Sequence, residues 1–287
     1  MLVHIKTIIK KAEQGKYAVG AFNVNNLEIL QAVILAAEKL KSPVIIQTTE
    51  GAIEYAGLEE LVALIKAAAE EASVPVALHL DHGHDFELIK KCIKAGYSSV
   101  MIDASDKPYK DNVRTVKKVV QYAKARNVWV QAELGRLEGA EDWIKVGKGQ
   151  GFFTEPLDAK RFVSETKINA FAVAIGNYHG VQKIIGKKKL ILDLKRLGKI
   201  DKLVTVPLVL HGASGFPAGQ IKRAIQRGIR VINIDSELRI SFTLAERRFL
   251  QDNKNIFDPR KILKPAILEM QKTVEKKIKI FGSRNKA

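Results

Sequence analysis

The chain has 287 residues, 46% of them hydrophobic and 28% charged, which is enough apolar material for a sizeable core. No run of about 18 or more apolar residues and no charged-then-apolar leader is seen, so no membrane span is expected and the cytoplasm is the expected location. A single cysteine, Cys92, excludes an internal disulfide, and the formal net charge of +17 leaves nucleic acid, a membrane surface or anionic metabolites as partner classes to be weighed.

An amphipathic segment over residues 3–13 precedes a first strand at 17–22 and a helix at 27–40. The unit then recurs: strands at 43–47, 76–80 and 99–102 lead into helices at 58–72, 86–95 and 112–126. A strand at 128–132 opens a Gly-rich loop through Gly151, followed by a helical stretch near 158–166. Strands at 171–175, 208–210 and 230–234 alternate with helices near 189–203, 217–228 and 237–251. Asp258-Pro259-Arg260 then starts a helical extension to about residue 280. Cys92 falls on the apolar face of its helix, where packing rather than nucleophilic chemistry is expected.

Apolar strands that each feed a helix argue for a parallel sheet covered on both faces. Eight such units over about 250 residues suit a closed (β/α)8 barrel better than an open sheet. The polar residues support closure, because they gather at one end of the strands: Asn23, Gln47, Asp81 with His82, Asp103, Glu133, His179, His211, and Asn233 with Asp235. In a barrel these ends converge on the catalytic mouth. The expected class is therefore α/β, a TIM barrel with a C-terminal helical extension, in one domain over residues 1–287.

The chain has six histidines, and His82, His179 and His211 follow the third, sixth and seventh predicted strands. Three imidazoles leave a zinc ion open positions, the arrangement of a metal that polarises a substrate oxygen. His79, inside its strand, and His84, beyond the turn, read as supporting residues. Asp81 adjoins His82, and on an extended segment its side chain points away from its neighbour's, which leaves it free to exchange a proton with a substrate oxygen. Asp103 and Glu133 end the next two strands and can hold a second cation, orient the histidines, or form salt bridges across the mouth. Gly212-Ala213-Ser214-Gly215 and Asn233-Ile234-Asp235-Ser236 each precede a helix, and such loops offer N–H groups and a helix dipole to an anion. A phosphate site after the last two strands is a recurring barrel feature.

These residues resemble the class II, metal-dependent ketose-bisphosphate aldolases, the family of fructose-1,6-bisphosphate and tagatose-1,6-bisphosphate aldolases. The resemblance runs from Tyr17-Ala18-Val19-Gly20-Ala21-Phe22-Asn23 to Phe281-Gly282-Ser283. Its motifs are His79-Leu80-Asp81-His82-Gly83, Val100-Met101-Ile102-Asp103-Ala104-Ser105, Ala132-Glu133-Leu134-Gly135, Leu210-His211-Gly212-Ala213-Ser214-Gly215 and Asp258-Pro259-Arg260.

The resemblance implies a Zn2+ held by His82, His179 and His211, a second divalent cation near Asp103 and Glu133, and a monovalent cation. It implies that Asp81 is the proton donor where the carbon–carbon bond breaks, and that Glu141, in the loop after the fifth strand, exchanges the proton of dihydroxyacetone phosphate. Gly180, Gly212, Ala213, Ser214, Asn233, Ile234, Asp235 and Ser236 match segments that bind that product, and Asn23 and Thr49 match polar substrate contacts. Arg260 matches an arginine that reaches the second phosphate from a neighbouring subunit, so a homodimer or homotetramer is implied. The implied partners are a ketose bisphosphate, dihydroxyacetone phosphate and an aldehyde phosphate, with no membrane and no specific nucleic acid. The chain departs from the family pattern at Glu138-Gly139, Gln131, Thr49 and the basic segment 181–189.

Two other readings are weighed beside this one. A Schiff-base aldolase needs a buried lysine at a strand end, and no predicted strand supplies one. A catalytically inactive barrel that binds nucleic acid draws only on the positive charge. Lys and Arg are spread along the helices without an RNA-binding aromatic signature, so the charge reads mostly as solvated surface with some steering of anionic substrates.

Overall fold

The strand and helix signals resolve into a ring. The computed structural model describes residues 1–141, 144–147, 149, 151–186 and 190–287, and of residues 141, 144 and 145 the main chain alone. In chain order the first half comprises α1 (Ile5–Gly15), β1 (Val19–Asn23), α2 (Leu27–Lys39), β2 (Val44–Thr48), α3 (Glu50–Ala56), α4 (Leu58–Glu71), β3 (Val76–Gly83), α5 (Phe86–Ala95), β4 (Ser99–Ile102) and α6 (Tyr109–Lys124). Next come β5 (Trp129–Leu134), β6 (Gly139–Glu141), β7 (Ile144–Val146), α7 (Pro156–Thr166), β8 (Ala170–Val173) and α8 (Gln182–Ile185). The chain finishes with α9 (Leu194–Asp201), β9 (Leu208–Leu210), α10 (Ala218–Ile225), β10 (Ile229–Ile234), α11 (Ser236–Asp252) and α12 (Pro259–Phe281). The strands close in the order β1-β10-β9-β8-β5-β4-β3-β2, with β6 and β7 forming a separate hairpin. Every barrel pair is parallel, so all eight C-terminal ends face one mouth. Among the described residues no helix is long and apolar enough to cross a membrane.

Successive strand side chains point to opposite faces, and this sorts each strand between two cores. Leu78 and Leu80 of β3 pack outward beneath the helices, whereas Ala77 packs inward with Val19, Ala21, Ile45, Val209 and Val231. The inner set closes one end of the barrel against Ile5, Ile8 and Ile9 of α1. Each fully buried isoleucine there is worth about 1.5–3 kcal/mol. Continuing the alternation toward the mouth places Gln47, His79, Gln131, Asn23, Asp81, Glu133 and Asn233 inside, and all are buried.

Local signals set the helix ends. Asn26 caps α2 by accepting from Ile29 N–H at 2.9 Å, and Asp85 caps α5 through the N–H groups of Glu87 and Leu88. Gly96 ends α5 at φ 104°, in the left-handed region. The C-terminal helix starts on Asp258, which accepts from Arg260 N–H, with Pro259 in its first turn.

Three features differ from the sequence expectation. The segment after Thr49 is helical over α3, whose seven residues are too few to display a period. The Gly-rich loop contains the β6–β7 hairpin. The helix expected from about residue 189 begins at Leu194, where Asp193 accepts from Arg196 N–H at 2.9 Å; Leu190 and Leu192 are buried ahead of it and imitate its apolar face. Residues 187–189 lie outside the described residues.

Candidate active site

The site begins with an irregularity in β3. Its register with β4 runs Leu80↔Val100 and then Gly83↔Ile102, so β3 carries one extra residue, a bulge. His82 lies within it at φ 45°, a left-handed conformation uncommon for a residue with a Cβ. The expectation that Asp81 and His82 alternate on a regular extended strand therefore does not hold. Both side chains reach the mouth.

His82 sits at the centre of the imidazoles. Its Nε2 is 2.8 Å from Nδ1 of His211, and its Nδ1 is 2.7 Å from Oδ2 of Asp103. The His82 ring lies 5.2 Å from that of His179 and 4.6 Å from that of His211, centroid to centroid. One nitrogen from each histidine falls within 4.8 Å of the others, as does one ligand atom each from His82, Asp103 and Glu133. Asp103 thus takes the N–H of His82 and leaves the opposite nitrogen with a lone pair, the way carboxylates orient metal-binding imidazoles. Burial pushes the Asp103 carboxyl up, but the hydrogen bond and charge of His82, the Ser105 N–H and His84 outweigh it and hold the group below the usual carboxylate range.

His211 makes a second demand. Its Nε2 lies 2.6 Å from Nε2 of Gln131 and 3.3 Å from Nδ2 of Asn233. For Nδ1 to offer its lone pair to a cation, the ring proton must sit on Nε2, and that N–H needs an acceptor. The Gln131 amide supplies one when it turns by 180° to present Oε1. A donor set of three neutral imidazoles, one oriented by a carboxylate and one by an amide, suits zinc or a similar divalent ion.

Asp81 stands beside this cluster. The side chain is 1% exposed, and its Oδ2 accepts from Asn23 Nδ2 at 2.9 Å and Gln47 Nε2 at 3.0 Å. Its Oδ1 accepts from Asn233 Nδ2 at 3.0 Å. Three amides on three strands thus fix the carboxylate in place. His79 and His84 play supporting parts: His79 Nδ1 is 2.9 Å from Ser99 Oγ, and His84 Nδ1 donates to the Asp103 carbonyl at 2.9 Å.

A small pocket links the histidines to the loops after β9 and β10. Asn23, His179, Gly180, His211, Gly212 and Ser214 line it together with Asn233, Asp235 and Ser236. Gly212 adopts φ 55°, and a Cβ there would lie 2.6 Å from the Tyr178 carbonyl, so the close approach of the two loops requires glycine. Ala213 and Ile234 contribute main chain only, because their side chains pack in the outer core. A cavity of about 270 Å³ adjoins the mouth, lined by Asn23, Thr49, Asp235 and Arg239 among others. Thr49 also caps α3 through Ala52 N–H at 3.2 Å.

Of the two remaining expected residues, Arg260 is not brought to this cluster. Arg260 pairs with Asp258 at 2.9 Å, and its side chain is 90% exposed. Glu141 lies on β6 with its main chain paired to Ile144, and its side chain is outside the described residues. The hairpin itself docks on the His179 loop, since His179 N–H donates to the Glu138 carbonyl at 2.9 Å. Sequence reasoning missed Lys183 and Arg239. Lys183 is 2% exposed and donates to the carbonyls of Tyr178 and Gly212, while Arg239 pairs with Asp235 at 2.8 Å beside the cavity. The available signals were position alone: four residues after His179, and four after Asp235.

Residues 3–286 match the family model described as fructose-bisphosphate aldolase class-II. The fructose-bisphosphate aldolase of Geobacillus stearothermophilus is 46% identical over 289 residues, covering 100% of this chain and 99% of the relative. That of Thermus caldophilus is 44% identical over 308 residues and covers 100% of both. Among solved structures, the YdjI aldolase from Escherichia coli K12 superposes with a TM-score of 0.85 at 34% identity, covering 100% of both chains.

Proposed function

This chain belongs to the class II fructose-bisphosphate aldolase family, which is metal-dependent, and from that premise we propose that it cleaves fructose 1,6-bisphosphate reversibly to dihydroxyacetone phosphate and glyceraldehyde 3-phosphate. The observation that carries the reading is the convergence of His82, His179 and His211 within 4.8 Å at a mouth that also holds the buried carboxylate of Asp81. The three histidines would hold a zinc ion, with Asp103 orienting His82 and, with Glu133, available to a second cation. Bound there, zinc supplies Lewis-acid polarisation of the ketose carbonyl.

The chain's own residues handle the protons. Asp81 takes the proton from the hydroxyl on the carbon whose bond to its neighbour breaks, and returns it in condensation. The bonding pair stays on the three-carbon ketone fragment, and Glu141 delivers a proton to that carbon from the loop over the site. Gly180, Gly212, Ser214 and residues 233–236 hold the phosphate of dihydroxyacetone phosphate, where main-chain N–H groups and the start of α11 favour an anion. The second phosphate lies toward the cavity beside Thr49 and Arg239, met by Arg260 of another copy in a homodimer or homotetramer. The positive charge, read as an enzyme's, steers these anionic substrates, and the buried lone cysteine suits the cytoplasm.

A coupled cleavage assay on the fructose and tagatose bisphosphates, with and without chelator, tests the proposal. Activity is expected on the fructose epimer, abolished by EDTA, restored by zinc and insensitive to borohydride. Metal-replete protein inactive on both epimers, together with a His211→Ala variant of unchanged metal content, would overturn it.

A further inference from the structure

The loop after β9 is tied to the C-terminal helix through one carboxylate. Glu237, in the first turn of α11, accepts the Gly215 N–H on Oε2 at 3.0 Å, and its own N–H faces Ser214 Oγ at 3.4 Å. Loop and helix start thus hold each other reciprocally. The same Oε2 meets the ammonium of Lys277, which is 4% exposed and lies near the end of α12. A buried ammonium is costly unless paired, so the contact fixes where the end of α12 can sit.

We propose that Glu237 and Lys277 are positioning residues for phosphate recognition: Glu237 shapes residues 212–215, and Lys277 cancels its charge. The inference rests on the placement of the dihydroxyacetone phosphate group proposed above. A carboxylate is a stronger acceptor for a loop N–H than water or a neutral amide, which explains its use at this turn. It is also an anion placed beside an anion site, and without a compensating cation it repels the ligand it helps to seat. Lys277 supplies that cation from outside the pocket, in the low-dielectric layer between α11 and α12. The C-terminal extension therefore acts on the loop's chemistry as well as covering the barrel.

The test uses the zinc-loaded enzyme with inorganic phosphate as the probe, alongside kcat and KM for fructose 1,6-bisphosphate, metal content and thermal melting. Lys277→Met leaves the carboxylate uncompensated and should weaken phosphate binding and raise KM by about tenfold, with kcat and zinc content little changed. The double variant E237Q/K277M removes both charges and keeps an oxygen acceptor for Gly215, so binding should return to within about threefold of the parent. Should the single variant fail to fold, E237A/K277M against E237Q/K277M reads the same contact, with about tenfold weaker phosphate binding expected where the acceptor is missing. A Lys277→Met protein that binds phosphate like the parent overturns the inference, as does a double variant no better than the single. A parent that neither binds phosphate nor cleaves the bisphosphate overturns the functional reading, and this inference with it.

Discussion

The ammonium of Lys183 donates to the main-chain carbonyl of Gly212 at 2.6 Å, and it donates to the carbonyl of Tyr178 as well. One buried side chain thus bridges the residue before His179 and the residue after His211. Removing it by Lys183→Met should let the two loops drift apart and lower zinc affinity by roughly 10–100-fold, the range seen when residues supporting metal ligands are lost. Titration against a competing chelator measures this directly; an unshifted midpoint means that the bridge does not set the spacing of the ligands.

Asp81 offers a cleaner separation of binding from chemistry. Asp81→Asn keeps the shape of the carboxylate but cannot take up the hydroxyl proton. Cleavage kcat should fall by about 10²–10⁴-fold, while metal content stays at the parent level. Zinc analysis beside steady-state kinetics checks both halves, and a variant that loses metal and activity together argues for a ligand instead of an acid–base group.

Gln131 is 2.6 Å from His211 on the side away from His82. Replacing it by leucine strands the N–H that His211 must carry when its other nitrogen faces a cation. We expect zinc affinity to drop by roughly 10–100-fold. Gln131→Glu supplies a permanent acceptor and should hold zinc at least as tightly as the parent. Equal affinities for the leucine and glutamate variants would remove the amide from the account.

Acid stability provides a fourth test. Burial, reinforced by His82 and opposed by Ser99, lowers the His79 imidazole from 6.5 to about 3. Between those values the unfolded chain binds the proton and the folded chain does not, so stability rises with pH there and is lost on acidification, by at most ~1.4 kcal/mol per pH unit. Asp103, held below the usual carboxylate range, adds a loss that begins only as the pH falls below its unfolded value of about 3.9. Thermal melts from pH 7 to pH 4 should therefore show a slope that His79→Gln flattens. A slope unchanged in the variant assigns the titration elsewhere.

The barrel and the histidine cluster at its mouth are readable in the sequence because both follow from short-range patterns. Apolar runs mark strands, and a polar residue at the end of a run marks the mouth. Lys183 and Arg239 follow no such pattern. Lys183 stands just before the basic run at 187–189 and reads as solvated charge; its burial depends on the turn that folds it under two loops. Arg239 looks like any helix-surface arginine until Asp235 and the cavity are placed beside it. The bulge at His82 is hidden for a related reason, since register is a relation between strands and a single run of residues does not carry it.

That extra residue in β3 has a mechanical consequence. His179 and His211 arrive on separate turns, but Asp81 and His82 are consecutive, and the bulge brings both to the same mouth. Whatever the surrounding loops do as substrate enters and product leaves, a single peptide unit keeps the proposed acid beside the proposed ligand. Deleting one residue there would restore ordinary pleating and send one of the pair to the far side of the wall, a change that no remodelling of the rim could undo.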